Sequence, residues 1–136
     1  MTLDGSHGNR ESWPQVSVVV TNSGSRAGDE VVFLFHNASK AAARHHYYHG
    51  SGAVPVPLKQ LVDFRRISLQ PGESKTVSFQ ISPASVATVD ASGSRLVLPG
   101  EHGLLVSRGA QHVADELQLT LEVVAQEPRI LSQLPL

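Results

Sequence analysis

Cysteine is absent from this 136-residue chain, which excludes disulfide staples, thiolate nucleophiles and thiolate metal ligands. The absence leaves the compartment open, because domains of this size can dispense with disulfides. Eleven Lys and Arg nearly balance twelve Asp and Glu, giving a net charge of -1. No electrostatic field therefore favours nucleic acid or an anionic membrane. No stretch approaches the roughly 18 uninterrupted apolar residues of a transmembrane helix. The opening "MTLDGSHGNRESWPQ" has no basic-then-apolar leader pattern, so the chain as written is expected to be soluble, with any leader lying outside it. Aromatic residues make up only 5%, and a core would have to be filled chiefly by Val, Leu and Ile.

What is present is alternation. Val77, Phe79 and Ile81 alternate with Ser78 and Gln80, the period-two signature of a strand buried on one face. Pro71-Gly72 stands before it; proline fixes φ at the first central position of a type II turn and glycine supplies positive φ at the second. Leu61, Phe64, Ile67 and Leu69 mark another strand whose spacing breaks strict alternation, which predicts a bulge or bend. Val16, Val18 and Val20 form a strand ahead of the turn-rich "TNSGSRAGD". "EVVFLF", Glu30 to Phe35, is apolar on both faces, as expected of a central strand covered on two sides. Leu96 with Leu98, then Gly103 to Ser107, give two short strands around Pro99-Gly100. Leu117, Leu119, Leu121 and Val123 draw one apolar face along the whole last strand. Ser82 followed by Pro83 predicts a short helix with Ser82 at its N-cap.

About seven strands at this spacing predict an all-β, immunoglobulin or fibronectin type III-like antiparallel β-sandwich. A single domain is expected over residues 13–125. Residues 1–12, polar and Gly/Ser-rich, read as a linker or tag remnant. Residues 126–136 form a tail whose Ile130, Leu131, Leu134 and Leu136 should lie along another surface.

Three blocks carry a family resemblance: "VVVTNSGSRAGDEVVFLF", "VPLKQLVDFRRISLQPGESKTVSFQIS" and "VATVDASGSRLVLPGEHGLLV". In this order they resemble the fibronectin type III-like domain that closes family 3 glycoside hydrolases, the β-glucosidases and β-xylosidases. The resemblance runs from Val16 to about Val124. Asp63 departs from the pattern, since the family usually has glycine before that phenylalanine. The spacing after "FLF" and the "VATVDASGSRLVLPGE" segment lean toward the β-xylosidase branch.

The resemblance implies a module with no catalytic residue, because in that family the nucleophile aspartate and acid/base glutamate belong to preceding domains. It implies catalytic domains of the same hydrolase as partners, a secreted or extracellular parent, and hydrolysis of β-linked glucose or xylose from non-reducing ends by that parent. The carboxylates agree on independent grounds. Asp29, Glu30, Glu73, Asp90 and Glu101 all sit at turns or strand ends, where solvated acids are expected, whereas glycoside hydrolysis needs two carboxylates held about 5–9.5 Å apart around a sugar.

Three further readings concern the segment after "FLF", and a fourth the strand beyond it. Should "SKAAARHHYYHG" form a helix capped by Ser39 and ended by Gly50, His45 and His49 lie one turn apart and offer two metal ligands, but a zinc site needs at least a third. Tyr47 and Tyr48 offer flat faces to a sugar such as plant cell-wall polysaccharide, or pack on the sandwich edge. "NAS" places Asn37 in an N-glycosylation pattern, relevant only in a eukaryotic secretory pathway. Lys59, Arg65 and Arg66 are expected on a solvated outer face or in salt bridges across a domain interface. No cofactor is implied. Two other functions remain open alongside the structural module: a carbohydrate- or polymer-binding accessory module, and a free-standing protein-interaction domain.

Overall fold

The structure is a computed structural model that describes residues 2–4, 13–49, 59–90, 92–108 and 116–132, with side chains for 13–44, 59–90, 92–108 and 116–131. Its strands are β1 (Thr2–Asp4), β2 (Gln15–Thr21), β3 (Gly28–Asn37), β4 (Gln60–Leu69), β5 (Ser74–Gln80), β6 (Thr88–Val89), β7 (Arg95–Val97), β8 (Gly100–Ser107), β9 (Leu117–Val124) and β10 (Arg129–Ser132). One α-helix, α1 (Ser39–His49), follows β3, and a 3₁₀ turn spans Pro83–Val86. The strands form a five-stranded sheet in the order β1-β9-β8-β3-β4, a three-stranded sheet β10-β7-β6 and a two-stranded sheet β2-β5. All pairings are antiparallel except β1 with β9. This is the expected all-β, fibronectin type III-like sandwich.

The alternation read from sequence puts one face of each layer inside. Val32 and Leu34 of β3, Leu104 and Val106 of β8, and Leu121 and Val123 of β9 meet Val16 of β2 and Val77 and Phe79 of β5. Complete burial of such side chains stabilises by about 1.5–3 kcal/mol each. The wet face of β2-β5 carries cross-strand hydroxyl pairs, Ser17 with Ser78 at 2.8 Å and Thr21 with Ser74 at 2.7 Å. Gly72 has the positive φ, 76°, that the Pro71-Gly72 turn demands. The expected irregularity in β4 is a bulge: Leu34 pairs with Asp63 and Phe35 with Leu61, so Val62 is the extra residue.

Both short helical segments form; the second starts as expected, with Ser82 at its N-cap and Pro83 at the first helical position, while the capping of the first differs. Helix α1 begins at Ser39, and the side chain of Asn37 does the capping: its Oδ1 accepts the Ser39 N–H at 2.8 Å. An amide oxygen two residues upstream reaches a first-turn donor that the Ser39 hydroxyl cannot. In the 3₁₀ turn the Ser82 N–H donates to Ser85 Oγ at 3.0 Å, while the Ser85 N–H returns to the Ser82 carbonyl at 2.9 Å. Ala41 and Ala42 of α1 pack on Leu96 and Leu98, so the helix closes the end of the core between the five- and three-stranded sheets.

Two stripes depart from the sequence pattern. Leu117 and Leu119 share the inward face of β9 with Leu121, yet they are 53% and 38% exposed. Among the described residues the opposing sheet has two strands, β2 and β5, and leaves them uncovered. The outer face of β3 is half-buried rather than covered, because among the described residues no layer lies on that side of the sheet. At the two ends of the chain, residues 2–4 run parallel to β9 and residues 129–132 pair with β7.

Candidate functional site

The outward face of β3 and β4 gathers most of the chain's phenylalanine. Phe33 stands opposite Phe64, and Phe35 opposite Leu61, so the four share one side of the sheet. The Phe33 and Phe35 rings stack with centroids 5.9 Å apart. Phe64 is 56% and Leu61 49% exposed. Lys59 Nζ sits 4.4 Å from the Phe35 ring centroid while reaching Glu116 at 3.3 Å. At the other end of the face, Arg66 pairs with Asp29 at 2.8 Å. The result is an aromatic centre rimmed by ion pairs, on a face that no described element covers.

The three cations expected on a solvated face or in bridges to a neighbour are all satisfied within the chain. Arg65 bonds Asp63 at 2.7 Å, and its guanidinium lies 5.2 Å from the ring of Phe79, sealing the sandwich edge. Arg66 and Lys59 are paired as described above. The carboxylates are likewise engaged. Ser68, and then Arg66, hold Asp29 below the usual carboxylate range. Asp90 is also lowered, chiefly by the Ser92 hydroxyl, with backbone N–H groups closing the turn around it. A general acid in glycoside hydrolysis requires the opposite shift. Glu30 binds Arg108, Glu101 binds Lys40, and Glu73 Oε1 accepts the Gln70 N–H.

Of the residues singled out in the loop after β3, the backbone of His45, Tyr47, Tyr48 and His49 lies in α1, with the two histidines one turn apart. Their side chains fall outside the described residues. Gly50, expected to end the helix, falls outside them too. Asn37 is half-buried at the end of β3, its Oδ1 committed to the helix. Among the described residues no three metal-ligating side chains converge.

A buried histidine pair was missed by sequence reasoning. His36 and His102 are both buried, with His36 Nε2 2.8 Å from His102 Nδ1 and His102 Nε2 2.8 Å from the Leu98 carbonyl oxygen. A carbonyl only accepts, so His102 donates through Nε2, its Nδ1 accepts, and His36 Nε2 must carry the proton. Burial, and then the neighbouring His102, push the His36 imidazole down to about 4; burial lowers His102 as well. The pair is a neutral polar bridge between β3 and β8. Its signal was available in sequence: His36 keeps the parity of Val32 and Leu34, and His102 that of Leu104 and Val106.

A two-layered β-sandwich with an aromatic outer face and a buried histidine bridge defines an immunoglobulin-like domain. The chain belongs to the fibronectin type III-like domain family, which it matches over residues 30–110. It is 31% identical over 121 residues to an exo-1,4-β-xylosidase of Emericella nidulans, covering 88% of this chain and 14% of that protein. It is 36% identical over 103 residues to a β-xylosidase of Formosa agariphila, covering 76% of this chain and 12% of the relative. Among solved structures, a β-glucosidase from Erythrobacter marinus superposes with a TM-score of 0.65 at 30% identity, over 81% of this chain and 13% of that one. The chain thus spans only about an eighth of the length of such relatives.

Proposed function

We propose that this chain is the non-catalytic structural module of a family 3 glycoside hydrolase, a β-xylosidase or β-glucosidase, that packs on the catalytic domains and stabilises them. The observation that carries this reading is the aromatic face of Phe33, Phe35, Leu61 and Phe64, an apolar surface of the kind a second domain covers. Its relatives are far longer enzymes in which the matching segment is a minor part, and the acids described here are spent on turns and ion pairs. The parent's reaction would then be performed by carboxylates elsewhere in its polypeptide.

The test uses the purified chain in two assays. Incubated with p-nitrophenyl β-xyloside and β-glucoside, it should release no more nitrophenol than a mock preparation. Titrated with xylo-oligosaccharides and sedimented with insoluble xylan, it should show no affinity. Turnover above the mock would make it an enzyme; affinity that disappears in a Tyr47→Ala, Tyr48→Ala double variant would make it a carbohydrate-binding module.

A further inference from the structure

Strand β2 pairs with β5 along its entire length, from Gln15 to Thr21, and with no other described strand. In a strand, successive side chains point to opposite faces, and the backbone groups of alternate residues point to opposite edges. Consecutive residues of one strand can line a single cavity when it runs along that strand's edge. A cleft of about 460 Å³ does this: Val18, Val19, Val20 and Thr21 all line it, and Val106 and Leu117 of the opposing sheet form its far wall. Next to that wall, the bare leucines of β9 stand on the core-facing side, Leu117 opposite buried Val106 and Leu119 opposite buried Leu104. Among the described residues, an unpaired backbone edge, a cleft beside it and uncovered inward leucines are what a sandwich shows when one strand of its smaller sheet is missing.

We infer that the β2 edge is a strand-acceptor site, completed by an extended segment from the rest of a longer hydrolase polypeptide. The occupant is an alternating strand. Its main chain pairs with β2, its apolar side chains descend onto Leu117 and Leu119, and its polar ones join the hydroxyl-bearing outer face of Ser17 and Thr21. The origin of the strand rests on the function proposed above, and the length of the relatives supplies ample chain for it; the acceptor edge itself rests only on the geometry of β2 and β9.

The experiment records amide hydrogen exchange and methyl spectra of the labelled chain with peptides of about twelve residues tiled through the Formosa agariphila β-xylosidase. At about 1 mM, one tile from outside the region aligned with this chain should slow exchange of alternate β2 amides at least about tenfold and shift the Leu117 and Leu119 methyls. The same peptide N-methylated on alternate backbone nitrogens should not act. Leu117→Glu, at an exposed position compatible with folding, should weaken binding by about tenfold or more, whereas Val89→Glu, exposed on β6, should not. The proposal is overturned by no tile protecting β2, by the N-methylated peptide binding equally well, or by β2 amides already protected through concentration-dependent pairing with a second copy. None of these outcomes bears on hydrolysis or xylan binding, so the two readings fail separately.

Discussion

His36 shows how much one buried titratable side chain can decide. Its folded state favours the neutral imidazole, with the pKa depressed from an ordinary value near 6.5 to about 4. The unfolded chain therefore takes up a proton before the folded one does as pH falls. The stability contributed is complete above pH 6.5 and is lost progressively toward pH 4, a window worth about 3 kcal/mol. His102 acts in the same direction. Urea unfolding of the wild type and of His36→Gln across this range should show the variant less stable at neutral pH but with a shallower decline, by up to about 1.4 kcal/mol per pH unit. Parallel declines would show that His36 does not stay neutral. Sequence parity could have placed both histidines inside. Their pairing could not be read, because it depends on the β3–β8 register, in which Leu34 meets Val106 and His36 meets Leu104.

At the scale of elements, turns and strands were the most legible part. Pro71-Gly72, the alternation of β5 and the bulge in β4 all follow from local chemistry. Asn22 ties one such turn to the next: its side-chain amide donates to the carbonyls of Arg26 and Leu69, at 2.8 and 3.2 Å, and its Oδ1 accepts from the Gly24 N–H. Two glycines differ in what they require. Gly72 sits at φ 76°, within the left-handed region that L residues enter at a cost of about 1–2 kcal/mol. Gly100 sits at φ 115°, much further from the left-handed well at about +57° that an L residue can reach; Ala41 of α1, 3.6 Å from where a Cβ would stand, is an ordinary contact, so backbone strain alone sets its cost. Thermal unfolding should therefore find Gly100→Ala more destabilising, about 2–3 kcal/mol against about 1 for Gly72→Ala. Equal losses would mean that backbone strain does not set the ranking. The cap of the 3₁₀ turn is legible in Ser82-Pro83, but that of α1 is not, because Asn37 matches a glycosylation pattern and its side chain serves a helix that starts two residues later.

At the scale of the molecule, sequence patterns state which residues share a face but not whether anything covers it. Phe64 and Phe79 illustrate the gap. Both are phenylalanines on strands, read alike as apolar markers, yet Phe79 is fully buried and Phe64 is more than half exposed. The bulge at Val62 shifts the parity of β4, putting Leu61 and Phe64 on the outside while Val62 and Ile67 pack on the core. The two positions must then respond oppositely to the same substitution. Phe79→Ala removes a side chain from a closed core and should cost about 3–5 kcal/mol; Phe64→Ala should cost less than about 1 kcal/mol in the isolated chain. Urea midpoints for the two variants measure this directly, provided the slope stays constant. A large loss at Phe64 would show that the ring holds this sandwich together on its own, leaving no aromatic surface for a neighbouring domain. A small loss leaves the ring available for contact, where its burial by a partner would stabilise both domains by an amount the isolated chain cannot display.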